Sequence, residues 1–294
     1  MVEVDTVKWL QVEATTKCNA WCPGCARSHG GFGLQEYVVL QDLDAVRYSE
    51  VLGLFPNLEY IDFCGTYGDA IAAANIIELI TLSKQHAKKI IVRTNGSLRT
   101  VAWWESFANL LKTHENEVWF CLDGLADTHS IYRQATDFDT IIRNATRFID
   151  AGGTAVWQFI PWAHNEHQIT DCIRLGQKLG FSRFEIVRSV RNETNPRNWR
   201  TGEPITLEPW SRNHVANKLL QPKTNVPTKN CQHLSQPGYY IAASGELSTC
   251  CYLQHVLRFD TIKQTPDIKN ELSQNPRPVC LQRCGESNIM ESYD

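Results

Sequence analysis

The sequence lacks any long apolar stretch and any strong excess of charge of one sign. No apolar run reaches the roughly 18 residues that a membrane-spanning helix needs, and the stretch from Met1 to Lys8 contains no apolar signal core. The formal net charge of the 294 residues is only −3 at pH 7, so nothing points to wholesale binding of nucleic acid. We therefore expect a cytoplasmic protein that has no membrane partner and for which nucleic acid is not a main partner.

Cysteine, by contrast, is abundant. A chain with 11 cysteines in a reducing compartment is expected to bind metal rather than form disulfides. The cysteines fall into two groups, with three between residues 18 and 25 and five between residues 231 and 284. Three others lie between the groups and are expected to be core residues, because free cysteine packs as a small hydrophobe; these are Cys64, Cys121 and Cys172.

The first group has the spacing C-x3-C-x2-C and consists of Cys18, Cys22 and Cys25. A four-iron cluster is usually held by four thiolates, so three thiolates leave one iron without a protein ligand. An open position on a metal can bind a small molecule. The Pro-Gly pair before the third cysteine favours a sharply turning loop. A zinc loop is the alternative, although structural zinc prefers four ligands.

This loop resembles the cluster motif of the radical S-adenosylmethionine (SAM) enzymes. The resemblance implies that the open iron chelates the amino and carboxylate groups of SAM. It further implies that reduction cleaves SAM to methionine and a 5′-deoxyadenosyl radical, which abstracts a hydrogen atom. One position departs from the family, because Gly24 stands where a bulky residue usually lies close to the adenine. Part of the adenine contact is therefore expected to come from elsewhere.

Hydrophobic periodicity predicts six strands that alternate with helices, the pattern of a parallel α/β fold. Eight such units would close a full barrel, so six predict an open, partial TIM barrel of (β/α)6 type. The predicted strands are 8–14, 58–64, 89–94, 117–122, 154–160 and 184–187, and the predicted helices are 42–54, 71–85, 102–114, 140–151 and 168–179.

Glycine and polar residues follow each of the first four predicted strands. The carboxyl ends of parallel strands form one rim, where ligands bind in such folds. Turn chemistry alone would explain any single one of these segments. Four of them on the same rim as the cysteine loop favour a binding site.

The resemblance to radical SAM enzymes extends to these segments. It implies that Gly68 and Asp69 receive the SAM ammonium and that Asn95 lies near the SAM ribose. Asp123 opens a segment similar to the family's Asp-Gly…His…Tyr-Arg, and Arg133 is the candidate partner of the SAM carboxylate because its planar fork suits that anion. A surface arginine on a helix is the alternative for Arg133. The family's usual proline after the acidic residue is an alanine here.

The periodicity breaks after residue 190, which predicts three parts: a barrel at 1–190, a bridging segment at 191–229 and a small domain at 230–294. The bridging segment contains Arg197, Trp199 and Arg200 and a predicted short helix near 210–220. Arginine beside tryptophan could bind RNA or a peptide. The alternative is a solvated surface.

The second cysteine group surrounds a predicted β-hairpin turning at Ser244-Gly245. It resembles the twitch domain, the shortened form of the SPASM extension of peptide-maturing radical SAM enzymes. The resemblance implies an auxiliary 4Fe–4S cluster, and a structural zinc site is the alternative. Adjacent strand residues face opposite ways, so one of Cys250 and Cys251 is expected to ligate, and the glycine spacing favours the former. The predicted ligands are Cys231, Cys250, Cys280 and Cys284.

These resemblances predict a radical SAM enzyme that modifies a ribosomally synthesised peptide by crosslinking, epimerisation or backbone excision. An auxiliary cluster could take up an electron or ligate the substrate. The alternatives are a radical SAM enzyme acting on RNA or a small metabolite, and a non-catalytic iron–sulfur or zinc protein.

The expected partners follow from this function. They are the precursor peptide and a reductase such as flavodoxin or ferredoxin. The first predicted strand starts within the first 10 residues, where many peptide maturases carry a peptide-binding domain. We therefore expect a separate small protein to recognise the leader of the precursor.

Overall fold

A computed structural model describes residues 4–112, 115–187, 195–211, 238–251 and 291–293. Its strands are β1 (Trp9–Val12), β2 (Ser28–His29), β3 (Phe32–Leu34), β4 (Tyr60–Phe63), β5 (Lys89–Thr94), β6 (Glu117–Cys121), β7 (Ala155–Phe159), β8 (Arg183–Ile186), β9 (Gly238–Ile241), β10 (Leu247–Ser248) and β11 (Glu291–Tyr293). Its helices are α1 (Ala45–Gly53), α2 (Ile76–Ser83), α3 (Val101–Leu110), α4 (His129–Tyr132), α5 (Phe138–Asp150) and α6 (Ile169–Leu179).

All six predicted strands are present in the structure. The predicted helices are present as well, and three of them begin at a side chain that accepts the hydrogen bond of an N-terminal N–H, as expected for good cap residues. These cap residues are Asp44, Thr100 and Asp137. The predicted start of the second helix, at residue 71, is wrong. A short 3-10 turn at Ala70–Ala72 comes first, and Ala73 is extended, so α2 begins only at Ile76.

The chain divides into two compact units. The first unit contains Met1–Lys17, Val39–Val92 and Val226–Asn288. Within it, β1 pairs in parallel with β4, and β4 pairs in parallel with β5. The predicted C-terminal hairpin is present, with β9 antiparallel to β10. Its first strand also pairs in parallel with β1, so the hairpin extends the sheet of this unit.

The second unit contains Cys18–Val38, Arg93–Asn225 and Ile289–Asp294. Here β6, β7 and β8 are parallel, and β11 is antiparallel to β8. The pair β2–β3 forms a small separate sheet that the sequence did not predict. Helices α3 and α5 pack on each other over an aromatic core, because their buried faces are rich in large rings. The rings of this core belong to Trp104 and Phe107 on α3, Phe148 on α5 and Phe120 on β6.

Several predictions fall outside the described residues. They concern the cysteines Cys231, Cys280 and Cys284 and most of the predicted helix near 210–220. The predicted division of the chain into three parts stays a prediction. No helix in the described part of the chain combines the length and apolar character that a bilayer crossing requires.

Candidate functional site: a cysteine loop and a glycine-rich loop

The cysteine loop belongs to the second unit. The N–H of Cys25 donates to the carbonyl oxygen of Cys22 at 3.0 Å, which closes the turn predicted from the Pro-Gly pair. Within the described residues none of the three thiols forms a disulfide, and Cys22 is buried while Cys18 and Cys25 are half-buried. The N–H of Ala20 lies 3.3 Å from the Cys18 sulfur and donates to it.

Two residues that the sequence analysis missed hold this loop. Arg27 is buried, donates to the carbonyl of Ala20 at 3.0 Å and lies 4.6 Å over the ring of Trp21. The main-chain carbonyl of Gln134 accepts the N–H of Trp21 at 2.9 Å. The Gln134 side chain accepts the N–H of Trp199 at 2.8 Å. The main chain of the predicted bridging segment therefore supports the cysteine loop through Gln134.

Hydrogen-bond donors surround the sulfurs. Asn95 Nδ2 lies 3.6 Å from the Cys18 sulfur, and Arg133 Nη1 lies 3.9 Å from the Cys22 sulfur. Trp162 packs in one cluster with Cys22, and its indole N–H is buried without a partner among the described residues. The sulfurs of an iron–sulfur cluster accept hydrogen bonds, which tune its potential. The donor set thus fits a cluster bound by these cysteines.

No three His, Cys, Asp or Glu side chains converge in a geometry for one metal ion within the ranges that the structure describes. The choice between an iron–sulfur cluster and zinc at the first cysteine group stays a prediction.

Asn95 is almost fully buried at the end of β5. Its Oδ1 accepts the N–H and the hydroxyl of Ser97 at 2.9 and 2.5 Å, and its Nδ2 donates to Asn19 at 3.0 Å. Asn19 lies next to Cys18 in the sequence, so this network links the end of β5 to the cysteine loop. Its predicted contact with a SAM ribose stays a prediction.

Asp123 and Arg133 form a buried ion pair. Arg133 Nε donates to Asp123 Oδ2 at 2.5 Å, and the N–H of Ile160 donates to Oδ1 at 2.7 Å. Burial raises the pKa of Asp123, and the guanidinium opposes that shift. Burial works against the charge of Arg133 too, but the carboxylate raises the pKa of Arg133 well above its usual value. Asp123 is fully buried, so within this site it orients Arg133.

His129 fixes the start of the same segment. The N–H of Asp123 donates to His129 Nδ1 at 3.2 Å, so the proton of the neutral ring is on Nε2, which lies 3.0 Å from Thr136 Oγ1. Burial and then the charge of Arg133 lower the pKa of His129 to about 3. The imidazole is therefore neutral at physiological pH.

This neutral histidine makes stability depend on pH. The pKa of His129 is 6.5 in the unfolded chain and about 3 in the folded protein. Between these two pH values the unfolded chain binds a proton that the folded protein excludes, so the free energy of unfolding falls as the pH falls. We expect wild type to lose more stability than His129→Gln between pH 7.5 and 5.5, by up to about 1.4 kcal/mol per pH unit. Urea unfolding across this range measures the difference. Parallel pH profiles would contradict a buried neutral histidine.

The glycine-rich loop belongs to the first unit and carries Gly68 and Asp69. A Cβ at Gly68 would collide with the carbonyl oxygens of Thr15 and Lys17, so only glycine allows this close approach. The N–H of Asp69 donates to the Lys17 carbonyl at 2.9 Å. Asp69 Oδ1 accepts the N–H of Ile71 at 3.2 Å and caps the 3-10 turn. The glycine-rich loop is thus bonded to Lys17, the residue that directly precedes the first cysteine in the sequence.

Glu13 lies behind this loop and was not predicted as a site residue. It is fully buried at the end of the first strand segment. Its Oε1 accepts the N–H groups of Tyr67 and Gly68 at 2.6 and 2.9 Å. Its Oε2 accepts the hydroxyl of Tyr240 on β9. An acidic residue directly after a buried strand was the available sequence signal.

The C-terminal cysteines within the described ranges are Cys250 and Cys251. The prediction that they alternate on a strand is wrong, because β10 ends at Ser248. They differ instead in burial, with Cys250 buried and Cys251 half-buried. Burial, followed by the charge of Glu13 and the hydrogen bond to it, raises the pKa of Tyr240 well above its usual value.

Comparison with known proteins rests on the fold. No protein-family model and no curated protein matches this sequence. Streptococcus suis SuiB bound to S-adenosylmethionine matches with a TM-score of 0.65 at 12% identity, over 94% of this chain and 68% of SuiB. The enzyme anSMEcpe with bound AdoMet matches with a TM-score of 0.61 at 15% identity, over 95% of this chain and 85% of that chain.

BtrN in complex with AdoMet and 2-DOIA matches with a TM-score of 0.51 at 12% identity, over 97% of this chain and 98% of BtrN. Further structures hold SuiB with the precursor peptide SuiA and anSMEcpe with the Cp18Cys peptide. The chain thus has the α/β, mostly parallel fold of the radical SAM enzymes over most of its length. The fold class predicted from the sequence is confirmed.

Proposed function

We propose that this protein is a radical SAM enzyme that modifies a ribosomally synthesised peptide. The observation that carries the proposal is the cysteine triad on a radical SAM fold, in which the Cys18 sulfur receives N–H donors from Ala20 and Asn95 and the Cys22 sulfur receives one from Arg133. The cluster, when bound, supplies the electron that splits SAM into methionine and the 5′-deoxyadenosyl radical. That radical takes a hydrogen atom from the substrate and leaves as 5′-deoxyadenosine.

The residues of this chain divide the remaining work. Cys18, Cys22 and Cys25 would hold the cluster through their thiolates. Arg133, oriented by Asp123, binds the SAM carboxylate as a fixed planar cation. Asp69 and the backbone beside Gly68 receive the ammonium, and Asn95 binds near the ribose. These roles carry over from the motif matches in the sequence.

The peptide substrate is the finer part of the proposal. It is supported by the cysteines around the C-terminal hairpin, which suit an auxiliary 4Fe–4S cluster, and by the peptides held in the SuiB and anSMEcpe structures. After hydrogen abstraction the substrate carries an unpaired electron. Closing a crosslink from that radical onto an X–H group would release one electron and one proton, and an auxiliary cluster, if bound, would supply the electron acceptor.

A small metabolite is the second candidate substrate. BtrN holds 2-DOIA, and the match covers 98% of BtrN, against 68% of SuiB. SuiB therefore carries more chain outside the shared fold than BtrN does. A gene for a short precursor peptide beside the gene of this protein would favour the peptide over the metabolite.

The proposed function is tested by anaerobic reconstitution followed by SAM and dithionite. We expect 5′-deoxyadenosine and methionine in equal amounts, and their absence from a fully reconstituted protein would overturn the proposal. A short precursor gene beside this one would supply the candidate peptide. Peptide and tRNA are then compared by titration across salt concentrations, because phosphate contacts make binding steeply salt-dependent.

Asp69 offers a test of the SAM-binding loop. Asp69→Asn keeps an oxygen that can cap the N–H of Ile71 but removes the charge that would meet the ammonium. Losing a charge-assisted hydrogen bond costs about 1.5–3 kcal/mol, so SAM affinity should fall about 10- to 100-fold. Equilibrium dialysis with radiolabelled SAM measures this, with iron content as the control. Unchanged affinity would show that Asp69 only caps the turn.

A further inference from the structure

Among the described residues of the first unit, Glu13 is a fully buried carboxylate that none of the assigned roles uses. Its side chain is fully buried and has 0% exposure. Among the described residues, each of its partners is a neutral donor: the backbone N–H groups of Thr66, Tyr67 and Gly68 and the phenol of Tyr240. Burying a carboxylate without a cation costs several kcal/mol unless its hydrogen bonds are satisfied. These donors satisfy the buried carboxylate, so we look for its role in the groups that donate to it.

The carboxylate holds the loop that leads directly to Asp69. Two consecutive N–H groups, at Tyr67 and Gly68, point to one oxygen at 2.6 and 2.9 Å. Such a pair of donors fixes the direction of the backbone just before Asp69. The loop also leaves room for the carboxylate, because a Cβ at Gly65 would approach Glu13 Oε1 to 3.1 Å.

The second oxygen of Glu13 ties this loop to the C-terminal hairpin. Tyr240 lies on β9 and has 0% exposure, and its hydroxyl donates to Oε2. β9 pairs with β1 from Trp9–Gly238 through Val12–Ile241, and the N–H of Glu13 donates to the carbonyl of Ile241 at 2.9 Å. The backbone and the side chain of Glu13 are thus both bonded to the hairpin that continues to Cys250.

We propose that Glu13, held by Tyr240, is the positioning residue of the SAM-ammonium loop, so that the C-terminal hairpin helps to set the affinity for SAM. This inference rests on the proposed function, because it needs Asp69 to meet the ammonium. Glu13 itself touches no part of SAM in this scheme. It acts by holding the backbone at Tyr67 and Gly68, and thereby the direction of Asp69.

The test measures SAM affinity in the reconstituted holoenzyme. Glu13→Gln leaves one oxygen to accept N–H groups and places an NH2 group among the donors, so we expect SAM affinity to fall about 10-fold or more. Tyr240→Phe removes only the hydroxyl, and a smaller loss in the same direction is expected. Tyr239→Phe is the matched control, because Tyr239 lies on the opposite face of β9 and stacks on Phe55 at 5.5 Å.

A second ligand separates positioning from a general loss of structure. 5′-Methylthioadenosine keeps the adenosine of SAM but has no ammonium, so its affinity should be the same in wild type, Glu13→Gln and Tyr240→Phe. A double-mutant cycle gives a further check, because Glu13→Gln should add little to Asp69→Asn if it acts through Asp69. Equal losses for both ligands, or additive losses in the cycle, would overturn the inference.

The outcomes also separate this inference from the proposed function. If wild type cleaves SAM and Glu13→Gln and Tyr240→Phe bind SAM as wild type does, the inference is wrong and the proposed function stands. If wild type binds no SAM, the proposed function and the inference fall together. If Glu13→Gln does not fold, Tyr240→Phe against Tyr239→Phe decides the question alone.

Discussion

A variant with Cys18, Cys22 and Cys25 all replaced by alanine should form no 5′-deoxyadenosine from SAM. The three thiols lie in one loop, and donors from Ala20, Asn95 and Arg133 approach the sulfurs of Cys18 and Cys22. Without the thiolates no iron is held open for SAM. We expect the iron content to fall from about eight to about four per chain, because each 4Fe–4S cluster carries four irons. Residual SAM cleavage above the reagent background would refute the assignment of this loop.

Cys172→Ser is the matched control for this experiment. Cys172 lies on α6 with 0% exposure, and burial raises the pKa of its thiol to about 12. A thiol that stays protonated is a poor metal ligand. Iron content and SAM cleavage should therefore match wild type. A comparable loss in this control would mean that the triple variant fails through folding.

Replacing Cys250 by alanine should abolish substrate modification and leave SAM cleavage intact. SAM cleavage needs the first cluster alone, whereas Cys250 follows the hairpin β9–β10 in the first unit. We expect about four irons to be lost, with 5′-deoxyadenosine still formed. Mass spectrometry of the candidate peptide, with circular dichroism as the folding control, measures the effect. Zinc in place of the lost iron would favour the structural-metal alternative.

Cys251→Ser is the paired variant, and it should keep both activities. The two cysteines do not lie on a strand, so alternation cannot decide which of them is the ligand. They differ in burial, and Cys250 is the more buried of the two. Full activity of Cys250→Ala together with failure of Cys251→Ser would reverse the choice of ligand. Full activity of both would remove the main support for an auxiliary cluster.

The secondary structure was predictable because it depends on local patterns. Each predicted strand of the barrel is a short run of apolar residues, and β5 was predicted with its exact bounds, Lys89–Thr94. Asp44, Thr100 and Asp137 cap α1, α3 and α5. The predicted starts of these three helices lie within three residues of the observed starts. The start of α2 was missed because Asp69, a good cap residue, caps a 3-10 turn instead.

The candidate site was predictable where a motif lies in one short stretch. The turn at Cys22–Cys25 follows from its Pro-Gly pair. The supporting residues were not predictable, because their partners are distant in the sequence. Gln134 bonds to Trp21 and Trp199, and Glu13 bonds to Tyr240 across 227 positions. No local periodicity reports such pairings.

The parallel pairing of β9 with β1 also determines the order in which the first unit can fold. During synthesis β1 emerges early, but its partner at Gly238–Ile241 is made more than 220 residues later. Until then one edge of β1 presents unpaired N–H and C=O groups, and such an edge can pair with other chains. Contacts of such long sequence separation also close slowly. This edge of the first strand is therefore exposed to pairing with other chains during synthesis, and the hairpin β9–β10 later covers it.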